Sequence, residues 1–120
     1  MPHADTAVIA RGKARGLTVM PGFSTPSEAF AALGAGATAL KLFPAEASPP
    51  AVLKAMKAVL PNSVPVLPVG GIVPESMAGY VVAGAAGFGL GSALYKPGAT
   101  PAEVADRARG FFQAWSKISR

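Results

Sequence analysis

The chain has 120 residues, 51% of them hydrophobic, a net charge of +5, one histidine and no cysteine, enough for one core and hardly two. Without cysteine there is no disulfide framework or thiolate metal site, and the single His3 leaves a histidine-based metal site or triad almost nothing to work with. The basic residues are scattered apart from Arg11, Lys13 and Arg15, and no apolar run reaches transmembrane length or forms a signal-peptide core; this argues against nucleic acid and membrane, and for a soluble cytoplasmic protein that favours an anionic metabolite.

In chain order, Asp5 to Arg15 reads as a helix closed by Gly16, and four apolar strands follow: Leu17 to Met20, Ala39 to Phe43, Val64 to Val69 and Gly87 to Leu90. After each strand comes a helix, opening at Pro26, Pro49, Pro74 and Pro101. Thr25-Pro26-Ser27-Glu28 and Thr100-Pro101-Ala102-Glu103 have the form of capping boxes with proline at the first helical position, and Ser48-Pro49 is a simpler version. Gly34-Ala35-Gly36 and Gly84 mark helix ends, where glycine takes the left-handed conformation. The near-even spacing of the prolines describes one βα unit repeated, which implies an α/β fold with a parallel sheet and helices outside it. An open doubly wound sheet and half of an eight-unit barrel both satisfy that pattern.

The second strand holds the chemical anomaly. In Ala39-Leu40-Lys41-Leu42-Phe43, alternation puts Leu40 and Leu42 on one face and Lys41 on the other with Ala39 and Phe43. A strand lysine more often packs its stem and reaches water with its head. Where it is buried instead, the ammonium is disfavoured, and the neutral amine that results is a nucleophile toward carbonyl carbon. The third strand ends in Val69-Gly70-Gly71-Ile72 and the fourth in Gly89-Leu90-Gly91-Ser92, so two consecutive strands present backbone N–H groups that no side chain obstructs, at the end where barrels commonly hold phosphate. A glycine pair alone is more often only a tight turn.

Lys41-Leu42-Phe43-Pro44-Ala45-Glu46, together with Pro21-Gly22, Val69-Gly70-Gly71-Ile72 and Gly89-Leu90-Gly91-Ser92-Ala93-Leu94-Tyr95, resembles the class I aldolases that cleave 2-keto-3-deoxy-6-phospho sugar acids, the KDPG/KHG aldolase family, and within it the 2-dehydro-3-deoxy-6-phosphogalactonate aldolases. The resemblance runs from about Pro2 to the last helix. It implies that Lys41 is the Schiff-base lysine, that Gly70, Gly71, Gly91 and Ser92 border the substrate phosphate, and that Pro2, Pro21 and Phe43 line the substrate cavity. It also implies a phosphorylated 2-keto sugar acid and pyruvate as ligands, neither metal nor other cofactor, since the imine itself serves as electron sink, and a homo-oligomer, trimeric in the family. The phosphogluconate and hydroxyglutarate aldolases share the lysine motif, and a non-catalytic half-barrel that binds phosphorylated ligands is the rival from another class.

On this resemblance, residues 1–120 form one partial barrel domain, helix 4 followed by strand-helix units 5 to 8 of a TIM barrel. The expectation is a truncated gene product or one half of a split barrel, with a complementing N-terminal half-barrel as the further partner. The family's general acid/base glutamate belongs to the other half, and of the acidic residues here only Glu46 follows the lysine strand at the working end. Proton transfer typically contributes 10²–10⁴-fold, so the isolated chain is expected to turn over far below a complete enzyme.

Overall fold

The computed structural model describes residues 1–118 as five helices around one parallel sheet. Helix α1 (Thr6–Ala14) is capped by the Asp5 carboxylate, which accepts from Val8 N–H at 3.0 Å, and Gly16, at φ +73°, turns the chain away from it. Strand β1 (Gly22–Phe23), helix α2 (Pro26–Gly34), strand β2 (Leu40–Leu42), helix α3 (Pro50–Val59), strand β3 (Val66–Pro68), helix α4 (Met77–Val82) and helix α5 (Pro101–Ile118) follow. The strands lie in the order β1-β2-β3, all parallel, with Lys41 opposite Gly22 on one side and Leu67 on the other.

Alternation decides what each face of the sheet does. Phe23, Leu40, Leu42 and Val66 are buried under the helices against Ile9, Ala29, Ala32, Leu53, Tyr80 and Phe111. Each fully buried aliphatic side chain contributes roughly 1.5–3 kcal/mol. Lys41 and Leu67, one residue out of phase, point to the opposite face, which no helix among the described residues covers. Helices thus cover one face of this parallel sheet and leave the lysine side open among the described residues.

Two strands differ from the sequence reading. Leu17 to Met20 is extended but irregular: Val19 exchanges hydrogen bonds only with Thr38, and Leu17 and Met20 are exposed. Ladder pairing starts later, where Pro21 and Phe23 carbonyls accept from the N–H groups of Lys41 and Phe43. The fourth strand shrinks to a single parallel bridge between Val69 and Gly89. Its hydrogen bonds run one way, from Ala86 N–H to Val66 O and from Gly89 N–H to Pro68 O, because Pro68 has no N–H to return.

Helix starts follow their local chemistry with two exceptions. Thr25 and Glu28 form a complete capping box on α2, and Thr100 and Glu103 make the same exchange at α5. At α3, however, Ser48 closes a short 3₁₀ turn (Ala45–Ala47) and is buried, while Pro49 takes the cap position with no side-chain bond. Pro74 opens a second 3₁₀ turn (Pro74–Ser76) that runs into α4. No described helix is long and apolar enough to cross a membrane.

Candidate active site

Two adjoining cavities open on the uncovered side of the sheet. The first, of about 370 Å³, is lined by Lys41 with Met1, Met20, Leu67 and Phe88. The second, of about 240 Å³, is lined by Phe43, Glu46, Gly70, Gly71, Gly91 and Ser92. Val69, Gly89, Leu90 and Gly91 belong to both walls, so the lysine cavity and the glycine cavity are neighbours across the β3 end.

Lys41 is half-buried, and its Nζ sits 4.8 Å from the centroid of the Phe43 ring, two residues along the same strand face. A cation over an aromatic face is stabilised by about 0.5–1 kcal/mol at such partly exposed sites. The ring thus holds the lysine head beside the cavity while leaving it accessible. Phe43 itself is fixed through its backbone, since its N–H donates to Phe23 O and its carbonyl accepts from Ser24 Oγ.

The glycine corner is set by backbone conformation. Gly70 and Gly71 have φ of +109° and +62°, left-handed values that an L side chain adopts only with strain. The corner follows directly from Val69, whose N–H donates to Leu42 O and whose carbonyl accepts from Ala45 N–H. Across from it, Gly89 has ordinary φ but no room: a Cβ there would collide with the Val69 methyls. Gly91, by contrast, meets nothing, and it and Ser92 begin a turn in which Leu94 and Tyr95 N–H groups both donate to the Gly91 carbonyl.

Glu46 lies against this corner. Its carboxylate and Cγ occupy the space that side chains at positions 70 and 71 would take. The 3₁₀ turn that carries it is pinned from behind by the buried Tyr80, whose hydroxyl is 3.0 Å from Ala45 O and 3.1 Å from Ser48 O. Burial, and then the charge of Glu46, raise the Tyr80 hydroxyl above its ordinary pKa. Tyr80 also stacks edge-to-face on Phe88 at 6.3 Å, which ties the turn to the fourth strand.

The residues singled out in the sequence thus fall in three places. Lys41 is in one cavity; Phe43, Gly70, Gly71 and Ser92 are in the other; Gly91 lines both, and Pro2 and Pro21 line neither. Pro21 is fully buried, and Pro2 is exposed with its carbonyl pressed on Gly22, whose N–H donates to Met1 O. Sequence reasoning missed Val69, Leu90 and Tyr80. For Val69 a signal existed, since it immediately precedes the glycine pair; nothing local marks a tyrosine on a helix as the anchor of a turn more than thirty positions earlier.

A parallel sheet with helices on one side, a lysine on the other and glycine corners at the strand ends defines part of a TIM-barrel-like α/β fold. The family model described as KDPG and KHG aldolase matches residues 2–108, and the chain belongs to that family. It is 47% identical over 114 residues to the 2-dehydro-3-deoxy-6-phosphogalactonate aldolase of Escherichia coli (strain K12), a match covering 95% of this chain and 56% of that protein. A solved structure described as native KDPGal superposes with a TM-score of 0.97 at 45% identity, over 99% of this chain and 58% of the other. A solved 4-hydroxy-2-oxoglutarate and deoxyphosphogluconate aldolase superposes at 0.77 with 34% identity, over 94% and 56%. The chain spans little more than half the length of the curated relatives it matches.

Proposed function

We propose that this chain supplies the Schiff-base half of a class I aldolase site that cleaves 2-dehydro-3-deoxy-6-phosphogalactonate into pyruvate and D-glyceraldehyde 3-phosphate. The observation that carries the reading is the position of Lys41, half-buried on the interior face of β2, against Phe43 and next to a cavity walled by two glycine corners. Lys41 Nζ attacks the C2 ketone and water leaves as the imine forms. As the C4 hydroxyl gives its proton to an acid/base group of the complete site, the protonated imine draws in the C3–C4 bonding electrons, releasing the aldehyde and leaving an enamine of pyruvate, which is protonated at C3 and hydrolysed to free pyruvate and Lys41. The imine is itself the electron sink. Gly70, Gly71, Gly91 and Ser92 take the phosphate by backbone and hydroxyl donors, and Phe43 bounds the chain between the two ends. Pro2 and Pro21 act at one remove, by fixing the N-terminal segment and the β1 end beside Lys41.

The galactonate epimer is preferred over the phosphogluconate and hydroxyglutarate substrates because identity is higher to the former group, 47% against 34%. Glu46 lines the glycine cavity and not the lysine cavity, so it is poorly placed to take the C4 hydroxyl proton beside the imine. The active form we propose is a cytoplasmic assembly in which a complementing N-terminal half-barrel covers the open face and brings an acid/base group; a homo-oligomer of this chain covers that face but adds no residue type the chain does not already carry.

Reduction with borohydride in the presence of pyruvate tests the nucleophile. The adduct mass is expected on Lys41 and is expected to vanish in Lys41→Arg, since a guanidinium stays protonated. Equal labelling of the exposed Lys54 and Lys117 would refute the reading.

A further inference from the structure

Resting on the reading of the glycine corner as an anion site, we infer that Glu46 is a selectivity residue of that corner: its carboxylate occupies the approach to Gly70 and Gly71, repels free anions, and swings to solvent only when a tethered phosphate enters. Three observations carry this. The carboxylate and Cγ lie where side chains at 70 and 71 would be, so the group is against the corner and not merely near it. The backbone beneath it is held firm, because Tyr80 Oη lies within hydrogen-bond reach of the carbonyls of Ala45 and Ser48, one on each side of Glu46 along the turn. The side chain itself is exposed, and among the described residues no cation forms a salt bridge with it, so its charge stays uncompensated and its own path to water is open.

Those facts set the energetics. A phosphate dianion brought next to an unpaired carboxylate in a largely hydrated site meets a screened repulsion, reduced by the ease with which Glu46 rotates outward. A ligand also held at its keto-acid end by Lys41 can bear that cost, whereas inorganic phosphate has no second anchor. The corner therefore discriminates for phosphate esters that belong to a substrate reaching both cavities.

The test is a titration of the full chain with inorganic phosphate, followed at the Gly70 and Gly71 amides by proton–nitrogen correlation spectra. Glu46→Gln, which keeps the side-chain size, is expected to tighten phosphate about fivefold, with the gain shrinking in about 1 M sodium chloride. Glu46→Asp, with the charge drawn back by one methylene, is expected to fall between the two and guards against an effect of the amide itself. Phosphate shifts at Gly70 and Gly71 with equal or weaker affinity in Glu46→Gln would overturn the role of Glu46 while leaving the anion site intact. No shifts at those amides in any of the three proteins would instead refute the anion site, and the inference with it.

Discussion

Replacing Gly89 by alanine isolates the steric demand at the junction of the two cavities. Gly89 does not have a left-handed φ, so backbone strain is not at issue. The added Cβ would instead collide with one Val69 methyl and lie 3.1 Å from the other and 3.3 Å from the Val69 Cβ. Val69 cannot easily withdraw, because its N–H and C=O are bonded to Leu42 and Ala45, and a β-branched side chain has few rotamers to choose from. Overpacking of this kind costs about 2 kcal/mol. With an unfolding entropy of about 2.1 cal/mol/K per residue, that lowers Tm by about 8 °C for a domain of this size. Val69→Ala removes both methyls, the two nearest of those contacts, and leaves the Cβ of residue 69 at 3.3 Å. Urea unfolding followed by circular dichroism, run on both single variants and the double variant, is expected to give a coupling of about 1–2 kcal/mol, the double variant being more stable than the sum of the singles predicts. Additivity to within about 0.5 kcal/mol would refute the argument that contact with Val69 is what requires glycine here.

Other expectations follow from the same geometry. Gly71→Leu, which puts a bulky side chain at φ +62° and onto Glu46, is expected to weaken phosphorylated ligands while sparing pyruvate trapping at Lys41; equal loss of both would indicate a folding defect, checked by circular dichroism. Tyr80→Phe removes the hydroxyl that serves Ala45 and Ser48 and is expected to cost about 1 kcal/mol in urea unfolding. Hydrogen bonds from Ser24 and Thr25 backbone N–H and the Thr25 hydroxyl hold the Glu28 carboxyl below its ordinary value near 4.5. Since the folded value is the lower one, this contribution is present above the ordinary value and is lost as pH falls through the folded value, so the stability difference between the native chain and Glu28→Gln is expected to narrow on acidification. A difference that widens as pH falls would contradict that sign.

Much of the fold was legible because its causes are local. The order of elements follows from the recurring prolines and capping residues: Thr25 and Glu28, and Thr100 and Glu103, cap their helices by bonds between residues three apart, which any sequence window contains. Period-two alternation was enough to put Leu40 and Leu42 on one face of the sheet and Lys41 on the other, though not to say which face the helices cover. Positive φ at Gly36, Gly84, Gly70 and Gly71 likewise belongs to positions where glycine alone is unstrained.

What the tertiary structure decided is everything that depends on a partner distant in sequence. Leu17 to Met20 is apolar enough for a strand, yet a strand exists only where a neighbour exchanges hydrogen bonds, and the ladder begins at Pro21 because Lys41 N–H is there to meet it. Gly87 to Leu90 loses regular pairing because of Pro68 on the adjacent strand, a defect invisible in its own residues. The placement of Glu46 on the glycine corner depends on Tyr80, thirty-five positions from Ala45, and the separation of the Lys41 cavity from the corner depends on Val69 and Gly89 meeting. The sequence by itself determined the lysine, the glycines and the repeating unit, since each is a matter of residue type and short spacing. Only folding determined which of them share a wall, because chain closure brings those groups within reach at a cost that no local pattern records.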